Sequence, residues 1–313
     1  MSALAMLAVY CGLVLVASLL GGSIPRLVKI THRRMQVAIS FVAGVMLGVG
    51  LLHLLPHSFH AQHSIDVSAW WAMLGFLLVF FLERFFHFHH HEAPNDGAEI
   101  AAAVEHAAHS HCDHDHVHAD AEHAFRYSWW GAALGLTLHS LVDGVALAAG
   151  VAAEESGGLV PIGAGLGTFL AIFLHKPFDS LTIGTLMTAA GTPARTQQIV
   201  NWLYALVAPL GVVLFYLWVE RNPDDFHYVL GRALAFAAGA FLCIATSDLL
   251  PELQFHSHDR GKLSAALIVG VVLAWGIVLF ETTGHDHGHE QEPHSTHGHD
   301  ADHGHAHDHA HQH

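Results

Sequence analysis

Charged side chains are scarce in this chain of 313 residues, because only 12% of them are Asp, Glu, Lys or Arg. Soluble domains carry roughly 25%. Apolar residues make up 52% of the chain, and the mean hydropathy is +0.40. This composition is typical of a protein embedded in membrane lipid, and it argues against a water-soluble domain.

Several other classes of protein are excluded by what is missing. Three scattered cysteines, Cys11, Cys112 and Cys243, suggest neither a disulfide framework nor a cysteine-based metal knuckle. The formal net charge is −15, so a basic surface for nucleic acid is absent. The chain contains no G-x-x-x-x-G-K-[ST] motif for a nucleotide and no His-Glu-x-x-His motif of a membrane metalloprotease. We therefore predict neither an enzyme nor a nucleic-acid partner.

Eight apolar runs are long enough to cross a bilayer, which takes about 20 helical residues. They cover residues 3–22, 36–56, 68–86, 127–151, 159–190, 198–219, 229–250 and 263–281. The sequence thus predicts an all-α polytopic membrane protein with eight transmembrane helices. Lys and Arg concentrate in alternate connections, and the opposite side holds only Arg221 and Arg232. Because basic loops stay in the cytoplasm, we expect both termini outside it, in a plasma or bacterial inner membrane.

Histidine is the abundant residue, with 33 copies. Most of them fall in two polar segments, a cytoplasmic loop at 87–126 and an extracytoplasmic tail at 283–313. Neither segment can bury a core, so both are predicted to be disordered. Short histidine-rich tracts bind borderline metals such as zinc, although a solubilising fringe is the alternative. The rest of the chain divides into helices 1–3 (1–86), helices 4–5 (127–190) and helices 6–8 (191–282).

An internal repeat relates spans 2 and 7. "FVAGVMLGVGLLHLLPHSFH" from Phe41 and "FAAGAFLCIATSDLLPELQF" from Phe236 share seven of twenty positions without a gap. Four spans separate the copies, so the copies cross the membrane in opposite directions. This predicts a 3+2+3 arrangement in which spans 1–3 and 6–8 form an inverted repeat around spans 4 and 5. A chance match between two spans rich in Leu and Ala is the alternative.

The two copies differ at ionisable positions. His53 and His57 of span 2 correspond to Asp248 and Glu252 of span 7, and the i, i+4 spacing puts each pair on one helix face. Met46 precedes His53 by seven residues and extends the same stripe. These residues predict a metal pathway with an imidazole entrance and a carboxylate exit. Simple solvation of helix ends is the alternative.

Two apolar runs each carry a His-x-x-x-Asp pair, in "LHSLVDGVA" and "LHKPFDSLT". Ionisable groups at the bilayer centre are costly, from about 2.5 kcal/mol upward, so they require a function. If spans 4 and 5 face each other, His139, Asp143, His175 and Asp179 form a four-coordinate set for Zn²⁺. Fe²⁺, Mn²⁺, Co²⁺ or Cd²⁺ would also fit, since ligand type alone selects weakly. A structural His–Asp hydrogen bond within each helix is the alternative.

These motifs resemble the ZIP (Zrt/Irt-like) family of divalent-metal transporters. The family's span 4 pattern His-Asn-x-x-Glu-Gly appears as "HSLVDG", its span 5 pattern as "HKPFD", and its "LLP" closes both copies of the repeat. The resemblance implies a homodimeric carrier that imports zinc into the cytoplasm by alternating access. It assigns the four His and Asp residues to the family's first metal site.

The family's second metal site does not carry over to this chain. Its amide, acidic and glutamate positions hold Ser140, Lys176 and Ala208. We infer that the Lys176 ammonium lies where the second cation would sit, so the site holds one metal. The alternative is that Lys176 marks a weaker or altered transporter. Two other functions stay open: a zinc exporter of the cation-diffusion-facilitator type, which usually has six spans, and a metal receptor or buffer that does not translocate.

Overall fold

The computed structural model describes residues 2–27, 32–86, 115–155, 164–255 and 260–283. Within these ranges every regular element is helical, which confirms the all-α class. Most of the predicted histidine-rich loop and nearly all of the tail lie outside the described residues, and so does Cys112. The helix that follows the loop begins at Asp115, so it takes in the last residues of the segment 87–126, for which disorder was predicted.

Ten α-helices occupy the described residues. They are α1 Ala3–Leu27, α2 His32–Val49, α3 Leu55–Gln62, α4 Ile65–Phe86, α5 Asp115–Glu155, α6 Leu166–Ala189, α7 Ala194–Ala205, α8 Val207–Arg221, α9 Phe226–Phe255 and α10 Arg260–Thr283. A π-helical turn, Gly50–Leu54, joins α2 to α3 without a break in the helical path. A short 3-10 turn, Pro223–Asp225, precedes α9.

Seven helical stretches in the described residues are long and apolar enough to cross a membrane. They are Ala3–Ser23, Arg34–Gln62, Ile65–Arg84, Trp129–Glu155, Ala194–Arg221, Pro223–Ser247 and Arg260–Phe280. The helix α6, predicted as the fifth of eight spans, is not among them. Its polar residues His175, Lys176 and Asp179 lower its mean hydropathy, although the helix runs unbroken through Pro177. Eight spans therefore remain a prediction.

Small residues bring helices together at positions that repeat along the chain. A Cβ atom added at certain glycines would collide with a backbone carbonyl of the neighbouring helix. Four such contacts join Gly44 to Leu267, Gly270 to Phe41, Gly239 to Ala72 and Gly75 to Phe236. The first two join α2 to α10, and the last two join α9 to α4. The two sets of contacts are related by a constant offset in the sequence. The residues of the α2–α10 contacts and those of the α9–α4 contacts correspond in pairs that are each 195 positions apart: Gly44 and Gly239, Leu267 and Ala72, Gly270 and Gly75, Phe41 and Phe236.

Replacing Gly239 with alanine is expected to destabilise the bundle by roughly 1–3 kcal/mol, because α9 and α4 would have to move apart. Gly276 is the matched control, since a Cβ there would meet nothing within 4 Å. Thermal unfolding of both variants in the same detergent measures the difference. Equal losses of stability in Gly239→Ala and Gly276→Ala would show that the close approach of α9 to α4 is unimportant.

The helices α5 and α6 lie against each other at the centre of the bundle. α6 packs mainly on α1 and also on α2, while α5 packs mainly on α8 and also on α9. A buried hydrogen bond of 2.7 Å between the Ser18 and Ser180 hydroxyls ties α1 to α6. One end of the bundle holds the α3–α4 turn at His63, and the opposite end holds the last turns of α4 near Glu83. We name them the His63 end and the Glu83 end.

Candidate metal centre

The four predicted ligands lie together between α5 and α6. Each helix contributes one His and one Asp, and the i, i+4 spacing directs both members of each pair toward the other helix. His139, Asp143 and His175 are buried, with exposed fractions of 7%, 0% and 4%. Asp179 is partly buried. One ligand atom from each residue lies within 4.8 Å of all the others, so this group could hold a metal ion.

The distances between imidazole and carboxylate atoms are nearly uniform. His139 Nε2 lies 3.5 Å from Asp143 Oδ2 and 3.6 Å from Asp179 Oδ2. His175 Nε2 lies 3.3 Å and 3.7 Å from the same two oxygens. Ligands bound to Zn²⁺ at 2.0–2.2 Å in a tetrahedron are separated by about 3.3–3.6 Å. The four imidazole–carboxylate distances are therefore close to the ligand separations of a tetrahedral zinc site.

The orientation of His175 leaves a lone pair facing the two carboxylates. Its Nδ1 lies 2.8 Å from the carbonyl oxygen of Ala171, which can only accept, so Nδ1 carries the hydrogen. In a neutral imidazole the Nε2 atom is then an acceptor directed at two carboxylate oxygens. Acceptors do not attract one another, so a proton or a cation must lie between them. A backbone carbonyl that fixes the tautomer of a histidine is typical of metal ligands.

Two buried atoms of the cluster lack a hydrogen-bond partner among the described residues. They are Asp143 Oδ1 and His139 Nδ1. Buried polar atoms are rarely left in this state, because each loses its hydration without replacement. The donor set and its unsatisfied atoms thus fit a divalent cation.

Lys176 belongs to the same cluster and is fully buried. Its Nζ donates to Asp143 Oδ2 at 2.8 Å and lies 3.5 Å from Asp179 Oδ2. A buried ammonium is strongly destabilised unless a carboxylate compensates it. The other two residues at positions of the family's second site, Ser140 and Ala208, are also buried, and neither carries a charge.

Tyr204 of α7 completes the cluster, and sequence reasoning missed it. Its hydroxyl donates to Asp179 Oδ2 at 3.3 Å, and its ring lies 5.2 Å from Lys176 Nζ. The contact holds one carboxylate in place and shields the ammonium from lipid. Tyr204 precedes Ala208 by four residues, so the helical spacing that picked out the ligand pairs could also have indicated it.

A cavity of about 270 Å³ adjoins the cluster and extends toward the Glu83 end. His139, His175 and Asp179 form part of its wall, together with the predicted pathway residue Met46. The remaining lining residues are Ile39, Val42, Ala43, Val79, Leu82, Glu83, Gly135, Leu136, Phe178, Thr182 and Ile244. Three of the four proposed ligands therefore border a cavity on the Glu83 side of the cluster.

Toward the His63 end, the described residues that line this cavity stop short of His53. His53 is only 2% exposed, and its Nε2 lies 3.7 Å from Glu154 Oε1, which also accepts a hydrogen bond of 2.9 Å from the Gly165 backbone N–H. Glu154 of span 4 thus contacts span 2 and span 5 between the cluster and the His63 end. No sequence motif indicated this role. His57, whose ring lies 4.7 Å from that of His53, faces a separate cavity at the His63 end.

The predicted exit residues Asp248 and Glu252 lie in the last two turns of α9, on backbone that the structure describes. Their side chains are outside the described residues, so the carboxylate exit stays a prediction. Among the described residues, Glu83 is the carboxylate that faces the cavity at this end.

Comparison with known proteins gives a consistent result. A family model described as "ZIP Zinc transporter" matches residues 4–280. The chain is 26% identical over 310 residues to the zinc transporter ZIP9 of Xenopus tropicalis, covering 87% of this chain and 95% of the relative. It is 26% identical over 290 residues to zinc transporter 5 of Oryza sativa subsp. japonica, covering 83% and 79%. It is 25% identical over 295 residues to zinc transporter ZIP4 of Rattus norvegicus, covering 80% and 43%.

Proposed function

The chain belongs to the ZIP zinc transporter family, and we propose that it imports divalent metal ions, zinc first among them, into the cytoplasm. The observation that carries the proposal is the convergence of two imidazoles and two carboxylates between α5 and α6, with one ligand atom of each within 4.8 Å of the others. Fe²⁺, Mn²⁺, Co²⁺ and Cd²⁺ are secondary substrates on the same chemistry. The four residues bind the metal ion as transported cargo, and the protein carries out no chemical reaction on it.

The cargo passes through the site by alternating access. The position of the cavity supports this step, because the cavity lies on the Glu83 side of the ligands, whereas His53, Glu154 and Gly165 contact one another on the His63 side. The positive-inside pattern places the Glu83 end in the cytoplasm. In this assignment the structure corresponds to the inward-open half of the cycle, and import requires a second state with the opposite closure.

An inverted repeat supplies a physical basis for two such states. If α6 is the fifth of eight spans, then α2 and α10 belong to spans 2 and 8, and α9 and α4 are spans 7 and 3. Exchanging spans 1–3 with spans 6–8, and span 4 with span 5, therefore maps the α2–α10 contact onto the α9–α4 contact. The glycine contacts follow this exchange at a constant interval of 195 residues. It also converts the α1–α6 packing into the packing of α5 against α8. Carriers with inverted repeats place their substrate sites near the bilayer midplane between the repeats.

The site binds a single metal in this proposal, because Lys176 takes the place of a second cation. Its ammonium lies 2.8 Å from Asp143 Oδ2, the distance of a charge-assisted hydrogen bond. With Lys176 present, two carboxylates and one ammonium carry a net charge of −1, and one Zn²⁺ brings it to +1. A second divalent ion would raise the charge to +3 in a buried site, which is strongly unfavourable.

Zinc uptake by proteoliposomes that contain an entrapped fluorescent zinc indicator tests the proposal. A carrier should deliver many zinc ions per protein molecule to the lumen, whereas a receptor or buffer can bind only its own stoichiometry. The matched control is the variant in which all four ligands are alanine, which keeps the histidine-rich segments and should give no lumenal signal. Equal signals from the two proteins would rule out transport through this site. Dimerisation, which the resemblance implies, stays a prediction.

A further inference from the structure

Arg232 places a guanidinium between two aromatic rings on the surface of the bundle, near the His63 end. Its Cζ lies 5.8 Å from the centroid of the Trp71 ring, on α4, and 5.9 Å from that of the Tyr228 ring, on its own helix α9. Both distances are those of a cation–π interaction, which extends to about 6 Å. Trp71 is partly buried, whereas Arg232 and Tyr228 are exposed. We name this place, where the two rings hold an accessible guanidinium between α4 and α9, the Arg232 seam.

The charge of Arg232 is not neutralised within the described part of the chain. No described residue forms an ion pair or a hydrogen bond with this guanidinium, which contacts only the two rings. A guanidinium stays charged at every physiological pH and carries five N–H donors. The rings attract the charge but accept none of these hydrogens, so the acceptors come from water or from a bound molecule.

The helix surface beside the seam is apolar and faces away from the bundle. Only 17% of the most apolar 18 residues of α4 are buried. Trp70, Leu74 and Leu78 follow one another at intervals of four, which places them on one helix face, and they are 68%, 48% and 42% exposed. In a chain that spans a membrane, such a face lies against the acyl chains of lipids.

Arg232 and Trp71 lie at the same depth of the bundle. Both α4 and α9 begin at the His63 end, and each of the two residues follows the first residue of its helix by six positions. Six helical residues span roughly 9 Å. Trp and Tyr collect at this level of a membrane protein, where hydrocarbon meets headgroups. The flexible stem of an arginine lets its charge reach those headgroups.

The internal repeat shows that packing alone does not require this arrangement. The offset of 195 residues that relates the two sets of glycine contacts pairs Arg232 with Val37 of α2, and Trp71 with Ala266 of α10. The α2–α10 contact thus forms with apolar side chains of modest size at the equivalent positions. A charged and an aromatic residue in the α9–α4 copy therefore indicate a task that is specific to the His63 end.

We propose that the Arg232 seam binds the phosphate group of an anionic phospholipid. A guanidinium offers two parallel N–H donors to a phosphate, a geometry that makes arginine the preferred residue for this group. The two rings restrict the side chain before the lipid arrives, which lowers the entropy lost on binding. The acyl chains lie on the exposed apolar face of α4. This binding goes beyond the proposed transport and does not depend on it.

The charges at this end favour a lipid over a free phosphate ion. Asp66 lies in the first turn of α4, and Asp224 and Asp225 form the turn before α9. These carboxylates repel a free phosphate ion, which has only the Arg232 guanidinium to hold it. A phospholipid gains further free energy from its acyl chains on the apolar face. An anionic headgroup suits the guanidinium better than a zwitterionic one, whose phosphate already has a cation beside it.

Photo-crosslinking in liposomes tests the site. The full-length protein is reconstituted in phosphatidylcholine with a trace of phosphatidylglycerol that carries a diazirine on one acyl chain, and mass spectrometry identifies the labelled peptides. The same diazirine on diacylglycerol, which lacks the phosphate, measures ordinary contact with lipid. We expect phosphatidylglycerol to label the α4 peptide that contains Trp70 and Leu74 about fivefold more than diacylglycerol does. Equal labelling by the two probes in the parent protein would overturn the proposal.

Two variants separate the seam from general attraction to positive charge. Arg232→Ala should reduce the phosphatidylglycerol labelling of α4 to the diacylglycerol level. Arg221→Ala is the matched control, because Arg221 is an exposed arginine at the same end, in the last turn of α8, and lies outside the seam. It should keep the parent ratio of the two probes. A ratio that is unchanged in Arg232→Ala, or reduced equally in both variants, would contradict a phosphate site at the seam.

Two further arms identify the ligand and establish that the site is separate. Millimolar inorganic phosphate should leave the labelling of α4 unchanged, and displacement of the lipid probe would assign the guanidinium to a free phosphate ion instead. The variant whose four central metal ligands are alanine should keep the parent ratio, because it shares no substitution with the seam. Loss of the enrichment in that variant would contradict a lipid site that is independent of the metal centre.

Discussion

Replacing His175 with alanine is expected to abolish zinc uptake, with a loss of about two orders of magnitude or more. The substitution removes one of the four proposed ligands, namely the imidazole whose Nε2 faces both carboxylates. The two Asp side chains would then be left with Lys176, which already lies 2.8 Å from Asp143, as their main cation. The initial rate of zinc entry into indicator-loaded proteoliposomes measures the effect.

Thr188→Ala is the matched control for this experiment. Thr188 lies on the same helix, is exposed, and its hydroxyl donates to the Gly184 carbonyl of its own helix at 2.7 Å. It should transport zinc at the parent rate. Size-exclusion profiles of both variants establish that the loss in His175→Ala does not come from unfolding. If His175→Ala still transported zinc at the parent rate, the four residues would not form the transport site.

Replacing Lys176 with aspartate is expected to convert the one-metal site into a two-metal site. The substitution changes the local charge by two negative units, which a second divalent ion balances. Asp143 and Asp179 already lie within 3.5 Å of Lys176 Nζ, so their oxygens can bridge a cation at that position. Without metal the variant should be less stable than the parent, because three carboxylates would be buried together.

Elemental analysis of purified protein measures this change as a difference from the parent. The histidine-rich segments are identical in both proteins, so their bound metal cancels. Lys176→Gln serves as the control, since it removes the ammonium without adding a ligand and should bind no extra metal. An unchanged metal count in Lys176→Asp would show that the ammonium does not stand in for a second cation.

Much of the central site was predictable because its ligand pairs follow helix geometry. A spacing of four residues places His139 near Asp143 and His175 near Asp179 whatever the tertiary fold. The apolar background made these residues conspicuous, since ionisable groups in a span require compensation. The same polar residues lower the mean hydropathy of α6, so this helix is not among those that are apolar enough to cross a membrane.

Contacts between distant helices could not be predicted in the same way. Tyr204 reaches Asp179 only because α7 is rotated to present that face to α6. Glu154 meets both His53 and the Gly165 backbone because three chain segments converge at one depth of the bundle. His63 and His227 likewise line one cavity only because the end of α3 and the start of α9 come together.

The sequence by itself determined the helical membrane class, the internal repeat and the choice of the four residues proposed for the central site. Hydropathy and residue spacing are properties of a single helix, so they do not depend on how the helices pack together. The tertiary structure alone decided that the four residues converge, that Lys176 binds Asp143, and that a cavity lies on the Glu83 side of them. These depend on the rotation and depth of each helix against its neighbours, which close packing sets through many weak contacts spread over the whole chain.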